Sequence, residues 1–517
     1  MYVELRCASA FSFLAGATTP EALVDRAAEL GYSSLALLDR DGIHGIPRFH
    51  KAARIAGIKP IVGAEVTIQT NQAEKNHALL LPLLVQTREG YQNLCRLITR
   101  MKLRAPKGEG ALTPDEFEGH TRGLVALAGR DLLLGLRLGV GGLLDQLVGL
   151  FGRDNVYVEV QRHLLREEEA ELRMLVDLAE AFHVPVVATN GVKFAGIEDR
   201  PLYDVLTCIR HKTTLELAGR RLARNAERYL KPSEEMVRLF RDMPAAVTAS
   251  HELADRLQYT MADLGYRFPE YPVPRGESSA SFLRKLTEIG ARERYRPYHQ
   301  RARNQMAREL DLIEKLDLAG YFLIVWDIVN FCRQHDILVQ GRGSAANSAV
   351  CYSLGITAVD PVGMELLFER FLSEERGEWP DIDLDLPSGD RRERVIQHVY
   401  EKYGALGAAS DGTRAAPEGL KAAPEGLRAA PEGLRAAMTA NVITYRGRSA
   451  AREVGKTLGI DVSQIDRLSK AMTNFEFIDP NDTLAKQLRD AGFDPDEPRL
   501  HLIGDLRRRL LNPTHHL

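Results

Sequence analysis

Apolar runs typical of β-strands alternate with helical stripes through the first 190 residues of the chain. One helix is predicted to begin at Thr19-Pro20, where an N-cap threonine precedes a proline in the first turn, and to end at Gly31. Strands that alternate with helices predict a parallel α/β sheet or barrel. Asp39 and Glu65 follow two of the runs, and residues at the carboxyl ends of barrel strands face the site. The strand-like runs are 34–38, 58–62, 79–85, 124–128, 156–160 and 184–188.

The length and charge of the chain limit its organisation. A chain of 517 residues is too long for one hydrophobic core and is expected to form two to four domains. With a formal net charge of −3 the chain as a whole is not basic, so a nucleic-acid surface would have to be a local patch of positive charge. Five scattered cysteines without a Cys-x-x-Cys pair indicate a reducing compartment. No apolar run reaches membrane-spanning length, and we therefore expect a cytoplasmic protein without a membrane partner.

An acidic run, Pro-Asp-Ile-Asp-Leu-Asp at 380–385, is one of two short motifs that point to chemistry. If the run is a strand, Asp381, Asp383 and Asp385 share one face, because side chains alternate along a strand. Two carboxylates about 5 Å apart repel by roughly 3 kcal/mol at an effective dielectric constant of about 20. A divalent cation offsets that repulsion, and Mg²⁺ prefers such oxygen ligands. A calcium-binding or solvated loop is the alternative interpretation of this run taken alone.

The second motif is Gly-Arg-Gly-Ser at 341–344, which we interpret as a glycine turn that leads from a short strand into a helix. Backbone N–H groups and a helix N-terminus favour a phosphate there, and Arg342 and Ser344 would add hydrogen bonds. Arg370, between the motifs, is a candidate triphosphate ligand. Taken singly, the turn is equally compatible with an ordinary loop, and Arg370 with a surface ion pair. Together the two motifs predict metal-assisted phosphoryl or nucleotidyl transfer.

Two changes of composition divide the rest of the chain. Prolines are frequent in residues 266–279, which predicts a domain boundary. Residues 414–434 hold three copies of a seven-residue unit, Arg/Lys-Ala-Ala-Pro-Glu-Gly-Leu, whose proline and glycine preclude a continuous helix. We expect this stretch to be a disordered insert without a chemical role.

Three basic residues recur at intervals of four along a predicted helix: Arg448, Arg452 and Lys456. Such a stripe suits a nucleic-acid backbone, and binding through it would depend on salt. A solvated helix face explains the same pattern equally well.

With these residues the chain resembles the C-family bacterial DNA polymerases of the DNA polymerase III alpha-subunit type, and among them the error-prone, translesion branch. The matching stretches are 56–63, 187–190, 341–344, 367–371 and 380–385. The resemblance implies an α/β multidomain fold, in which an N-terminal PHP-type (β/α) barrel precedes an incomplete polymerase-beta-like palm and a helical thumb. The implied parts are a PHP-like domain at 1–205, a helical connector at 206–275, a palm at 276–403, the repeat insert at 404–437 and a thumb-like region at 438–517.

The resemblance also implies a function, which is error-prone DNA-directed DNA polymerisation in DNA damage-induced translesion synthesis. Asp381 and Asp383 would be the catalytic carboxylates and would hold two Mg²⁺ ions. The implied partners are a DNA primer–template, deoxynucleoside triphosphates, and other mutagenesis or sliding-clamp proteins. The nucleotide-binding residues would be Arg342, Gly343, Ser344 and Arg370, and the DNA-binding residues Arg448, Arg452 and Lys456.

Two departures from the family pattern modify these expectations. Glu4 and Arg6 stand where PHP domains with a working metal centre have histidines, and Lys193 stands at another ligand position. We therefore expect Asp39 and Glu65 to be a vestigial site without phosphoesterase activity. In addition, a third palm carboxylate and a fingers domain are expected beyond position 517, so the chain is interpreted as an N-terminal fragment with little activity of its own. A non-catalytic DNA-binding or scaffold remnant is the alternative function.

Overall fold

A computed structural model describes residues 2–69, 79–106, 108–130, 141–262, 264, 271–373, 380–403 and 442–471, with isolated positions at 436, 439, 489, 506 and 514–515. The chain divides into two compact units. The first contains Met1–Leu264 and Asn441–Leu517, and the second contains Gly265–Ala440. The predicted disordered insert lies, apart from position 436, outside the described residues.

A seven-stranded sheet forms the centre of the first unit, with its strands in sequence order from β1 to β7. Hydrogen bonds from Ala8 N to Val192 O (2.9 Å) and from Val192 N to Arg6 O (2.8 Å) join the end of β1 to the segment after β7. The two edges of the sheet therefore meet, as the predicted barrel requires. The strands are β1 (Glu4–Cys7), β2 (Ser34–Arg40), β3 (Lys59–Ile68), β4 (Leu79–Val85), β5 (Leu124–Ala128), β6 (Val156–Val160) and β7 (Val186–Ala188).

The direction of β4 differs from the parallel arrangement that the sequence predicted. The β1–β2–β3 and β5–β6–β7 pairs are parallel, but β4 is antiparallel to both of its neighbours. Only positions 69–78 separate β3 from β4. A parallel crossover needs roughly a dozen residues or more, whereas an antiparallel return needs few.

Helices cover the sheet of the first unit. The first of them begins at Pro20 and has Thr19 as its N-cap, and Gly31 follows its end at a φ of 72°, which confirms the predicted start and stop. The helices of this unit are α1 (Pro20–Glu29), α2 (Ile46–Ala56), α3 (Arg88–Arg104), α4 (Gly142–Phe151), α5 (Glu168–Phe182), α6 (Arg200–Arg210), α7 (Leu215–Ala218), α8 (Ser233–Leu239), α9 (Pro244–Arg256), α15 (Gly447–Thr457) and α16 (Val462–Ala471). A further strand, β10 (Ile443–Thr444), pairs with β11 (Thr514–His515).

The second unit is mostly helical. Its core contains Phe322 and Leu323 from one helix, Val350 from the shortest helix and Phe371 from a later turn. Its elements are α10 (Ser279–Arg294), α11 (Gln300–Lys315), α12 (Ala319–Gln334), β8 (Gln340–Arg342), α13 (Ala349–Ser353), β9 (Asp383–Asp385) and α14 (Asp390–Tyr403). Across the described part of the chain, no helix combines the length and apolarity that crossing a membrane requires.

Candidate functional site

The two sequence motifs lie side by side in the second unit. Strand β8 carries Gly341 and Arg342, and it pairs antiparallel with β9, so that Arg342 lies opposite Asp383. Gly343 follows at a φ of 71°, a left-handed conformation that favours glycine. A Cβ atom on Gly343 would lie 3.7 Å from Oδ2 of Asp383. The glycine turn, with Ser344, and the acidic run therefore lie at one edge of the strand pair.

The acidic run has the alternation that was predicted for a strand. Asp381, Asp383 and Asp385 are exposed, whereas Ile382 and Leu384 are half-buried and pack against the hydrophobic core of the unit. Regular strand pairing covers Asp383–Asp385, and Asp381 lies two residues before it. The predicted common face is thus confirmed for Asp383 and Asp385, and for Asp381, which precedes the strand, it stays a prediction.

Arg342 contacts one of these carboxylates. Its Nη2 lies 3.2 Å from Oδ1 of Asp385, and both side chains are more than half exposed. An ion pair as exposed as this contributes about 0–1 kcal/mol, so a phosphate can readily replace the carboxylate as partner of the guanidinium. This contact was not predicted from the sequence, although Asp385 belongs to the predicted face.

The chain after the glycine turn differs from the helix that was expected. Residues Gly343–Asn347 form a 3₁₀-helix, and the α-helix α13 begins only at Ala349. The buried carboxylate of Glu309 in α11 binds the N-terminus of α13. Glu309 accepts hydrogen bonds from Ser348 Oγ (2.8 Å), Ala349 N (3.0 Å) and Val350 N (3.0 Å). The sequence predicted a phosphate site at a helix N-terminus. This prediction was wrong, because a carboxylate of the protein accepts the hydrogen bonds of these N–H groups.

Arg370 lies in a second 3₁₀ turn, Phe368–Arg370, next to the Gly343–Asn347 turn. The side chains of Phe368 and Phe371 are buried in the core and anchor this turn, while Arg370 is exposed. The structure thus brings Arg370 into the neighbourhood of the glycine motif. Its role as a triphosphate ligand stays a prediction.

The basic stripe lies on α15 of the first unit, as predicted for a helix. Arg452 forms an ion pair with Asp466 at 3.0 Å, and Lys456 forms one with Glu453 at 2.7 Å. Carboxylates therefore partly neutralise the stripe, which also includes Arg448. Its role in DNA binding stays a prediction.

Two basic side chains contact buried carboxylates at the predicted vestigial site in the first unit. Arg6 Nε donates to Glu65 at 2.7 Å, Arg6 Nη1 donates to Glu159 at 2.5 Å, and Lys193 Nζ lies 3.4 Å from Glu65. Burial opposes ionisation of Glu65, yet the charges of Lys193 and Arg6 lower its pKa to about 2. Glu159 was not predicted as a member of this site, although an acidic residue inside the apolar run 156–160 was a usable signal.

Asp39 has neutral partners instead of a cation. It accepts hydrogen bonds from Ser9 N (2.7 Å), Ser9 Oγ (2.9 Å) and Ser12 Oγ (2.7 Å). Burial raises the pKa of Asp39 to about 6, although these hydrogen bonds lower it. Within the described ranges, no group of three or more His, Cys, Asp or Glu side chains is arranged to hold a metal ion.

Two family models match the chain. Residues 4–163 match the PHP domain, and residues 281–423 match the bacterial DNA polymerase III alpha NTPase domain. The first match covers β1 to β6, and the second covers the paired motifs and the helices before them.

Curated relatives match the chain over most or all of its length. Proteins named error-prone DNA polymerase from Anaeromyxobacter dehalogenans and Alkalilimnicola ehrlichii are each 39% identical over 100% of this chain, which covers 50% and 46% of their own lengths. One from Mycobacterium tuberculosis is 41% identical over 92% of this chain and 42% of its own. The chain thus spans about half the length of these relatives.

Solved structures give weaker similarities. An amidohydrolase from Chromobacterium violaceum matches 38% of the chain with a TM-score of 0.28 and 16% identity. A putative metal-dependent phosphoesterase from Bifidobacterium adolescentis matches 37% with a TM-score of 0.27. These values are too low to support an argument, and the assignment rests on the family models and the curated relatives. Residues 281–423 thus match the bacterial DNA polymerase III alpha NTPase domain and residues 4–163 the PHP domain, and the curated relatives that the chain matches are named error-prone DNA polymerases.

Proposed function

We propose that the chain is the PHP and palm part of an error-prone DNA-directed DNA polymerase that acts in translesion synthesis. The observation that supports this most strongly is the pairing of β8 with β9. This pairing sets Arg342 opposite Asp383 and places Gly343 beside it. An anion-binding turn next to a row of exposed carboxylates is the arrangement that nucleotidyl transfer with a metal-bound triphosphate requires.

The exposed carboxylates fit Mg²⁺. Asp381 and Asp383 offer only oxygen ligands, and Mg²⁺ commonly takes one or two carboxylates while it keeps several waters and binds substrate phosphates. Two such ions, bound at these residues, would supply the positive charge that phosphoryl chemistry needs.

The chain's own residues would bind and orient the nucleotide. Arg342 would exchange its exposed contact with Asp385 for a bidentate contact with a phosphate. Gly343 leaves room for the phosphate because it has no side chain, and Ser344 would donate a hydroxyl hydrogen bond. Arg370, on the neighbouring turn, would bind the same triphosphate. These four residues would position the reacting phosphorus rather than carry out proton transfer.

The remaining assignments form part of the same proposal. The domain plan is a PHP-like domain (1–205), a helical connector (206–275), a palm (276–403), an insert (404–437) and a thumb-like region (438–517). Primer–template DNA would contact Arg448, Arg452 and Lys456. Mutagenesis or sliding-clamp proteins would be partners, and the protein would act in the cytoplasm.

A non-catalytic DNA-binding or scaffold role is the second candidate for this chain. The contacts of Arg6 and Lys193 with the buried carboxylates Glu65 and Glu159 favour it for the PHP domain. Cations that belong to the chain cannot be exchanged for catalytic metal ions without substitution. The PHP domain would then act as a scaffold for the rest of the chain.

Primer extension tests the polymerase proposal. The chain is mixed with the remaining half of an error-prone relative, and Mg²⁺-dependent extension of a labelled primer is measured. We expect Asp381→Asn/Asp383→Asn to reduce extension at least 100-fold, because the variant loses two metal-binding carboxylates. Asp311→Asn, an exposed aspartate of the same unit, is the matched control and should keep activity within twofold. Extension by the double variant at the unsubstituted rate would contradict the proposal.

A further inference from the structure

Strand pairing covers only the second half of the acidic run 380–385. The pairing of β9 with β8 begins at Asp383, which lies opposite Arg342. Asp381 and Ile382 precede this strand, so its hydrogen bonds do not fix the direction in which Asp381 points. A contact outside the strand pair is therefore needed if Asp381 and Asp383 are to keep a constant separation.

Tyr321 of α12 supplies such a contact. The N–H group of Ile382 donates a hydrogen bond to the Tyr321 hydroxyl oxygen at 3.1 Å. This N–H group belongs to the planar peptide that follows Asp381, so the hydrogen bond orients the backbone between Asp381 and Asp383. The side chain of Ile382 packs against the hydrophobic core of the unit and supports the same orientation.

The position of Tyr321 is itself fixed by its helix. It lies in the first turn of α12, where its backbone N–H donates to Leu318 O at 3.0 Å. Phe322 and Leu323 follow it and are buried in the core, against which the half-buried Tyr321 ring also packs. A side chain held by packing places its polar group more precisely than an exposed one does. The hydroxyl is thus carried by a rigid element.

The same helix also holds the chain that follows the acidic run. Asp327, a buried residue of α12, accepts hydrogen bonds from Lys402 Nζ (2.6 Å) and Tyr403 Oη (2.6 Å) of α14. Leu386, between β9 and α14, packs against a cluster that contains Cys332 of α12. Helix α12 therefore contacts the chain on both sides of β9.

We propose that Tyr321 is a positioning residue, which keeps Asp381 at a fixed separation from Asp383 so that both carboxylates can bind a divalent cation. This inference rests on the proposed function, because it takes the two aspartates as metal ligands. In the part of the chain that the structure describes, no third His, Cys, Asp or Glu is arranged with them to hold a metal ion. The placement of these two carboxylates therefore matters more, since Mg²⁺ demands near-octahedral geometry.

The substitution Tyr321→Phe separates this role from a contribution to the core. It keeps the ring, and with it the packing against Phe322 and Leu323, but it removes the acceptor of the Ile382 N–H group. The peptide between Asp381 and Ile382 should then become more mobile, while the rest of the unit keeps its structure.

Binding of Mn²⁺ tests the proposal with the full chain. Free Mn²⁺ is measured by electron paramagnetic resonance during titration of the unsubstituted chain and its variants, without DNA or nucleotide. We expect Asp381→Asn/Asp383→Asn to lose the site and Tyr321→Phe to weaken it about fivefold, the effect of one lost hydrogen bond. The matched control is Tyr298→Phe, which removes a hydroxyl that donates to Glu288 at 2.9 Å in the same unit. It should bind Mn²⁺ as the unsubstituted chain does.

Hydrogen exchange measures the contact itself. In Tyr321→Phe, a peptide that contains Ile382 should exchange with deuterium about tenfold faster, because its N–H group has lost its acceptor. Amides of α11 should keep their rates, which shows that the variant is folded. In the complemented primer-extension assay, the variant should need about fivefold more Mg²⁺ for half-maximal extension, with a rate at saturating Mg²⁺ within about twofold of the unsubstituted one.

The outcomes separate this inference from the proposed function. If the double aspartate variant binds Mn²⁺ like the unsubstituted chain, the aspartates are not metal ligands, and both proposals are overturned. If that variant loses the site whereas Tyr321→Phe keeps the unsubstituted affinity, only the role of Tyr321 is overturned. Equal weakening by Tyr321→Phe and Tyr298→Phe, unchanged exchange at Ile382, or faster exchange throughout α11 would overturn that role as well.

Discussion

Among single residues, Glu4 is, like Asp39 and Glu309, a buried carboxyl group that accepts hydrogen bonds from neutral donors. It accepts hydrogen bonds from the Tyr2 hydroxyl (2.6 Å), Asn190 N (2.9 Å) and Arg6 N (3.0 Å). Burial raises the pKa of Glu4 to about 7, and these hydrogen bonds only partly oppose it. Glu4 is therefore largely protonated in the folded protein at a pH at which it is ionised in the unfolded chain.

This difference predicts a pH dependence of stability. Below about pH 4.5 the carboxyl group is protonated in both states, and its full contribution is present. As the pH rises from about 4.5 to 7, the unfolded chain loses the proton first and folding becomes less favourable. Relative to the unsubstituted chain, Glu4→Gln should thus gain stability as pH rises, by a total of about 3 kcal/mol. Urea unfolding at pH 4.5, 6 and 8 measures the gain.

The exposed Glu29, which pairs with Arg26, provides the control. Glu29→Gln should show a stability difference that hardly changes between pH 4.5 and 8. A constant difference for Glu4→Gln over the same interval would show that Glu4 is ionised in the folded protein.

Among the elements, the shortest helix of the second unit depends on another helix for its start. Glu309 in α11 fills the N-terminus of α13, and Gln305 Nε2 donates to the same carboxylate at 2.9 Å. Helix α13 directly follows the Gly343–Asn347 turn. The position of the proposed phosphate-binding turn therefore depends on a buried contact with α11.

Glu309→Gln should loosen this arrangement. The substitution places an amide N–H₂ group against backbone N–H donors of α13, which costs about 1–3 kcal/mol for an unsatisfied buried group. We expect a lower melting temperature in calorimetry and weaker binding of a fluorescent deoxynucleoside triphosphate with Mg²⁺. Glu314→Gln, an exposed position of the same helix, should change neither value. An unchanged melting temperature in Glu309→Gln would refute the anchoring role.

Periodicity explains which elements the sequence could predict. The alternation of aspartates with Ile382 and Leu384 predicted the exposed acidic face, and Thr19-Pro20 predicted the start of α1, because both signals are local. The antiparallel direction of β4 and the capping of α13 by Glu309 depend on contacts between residues far apart in the sequence. No local pattern marks such contacts, and the pairing of Arg6 with Glu159 belongs to the same class.

At the scale of the whole molecule, the chain leaves its first unit after Leu264 and returns to it at Asn441. The returning segment contributes α15, whose Ala451 and Val454 are buried in a core that includes Leu202 and Val205 of α6. The first unit is thus built from two distant parts of the sequence. Its stability should depend on residues that follow the second unit.

Ala451→Asp tests this dependence. A charge without a partner in the core between α6 and α15 costs several kcal/mol, so backbone amides of α6 should exchange with deuterium faster. Amides of α11, in the second unit, should keep their rates. The exposed substitution Gln464→Asp on α16 should leave both helices unchanged in hydrogen-exchange mass spectrometry. Equal acceleration in α6 and α11 would argue against separate units.

The register of the β8–β9 pair links buried residues to exposed ones, so that they must be retained together in evolution. Sliding β9 by a single position would turn Ile382 and Leu384 towards water and force the aspartates into the interior. Two aliphatic residues that pack against the core thus decide which acid faces Arg342. Homologues that keep the proposed site must therefore also keep these aliphatic neighbours. Substitution of the aliphatic residues would shift the register of β9 and move the aspartates away from Arg342.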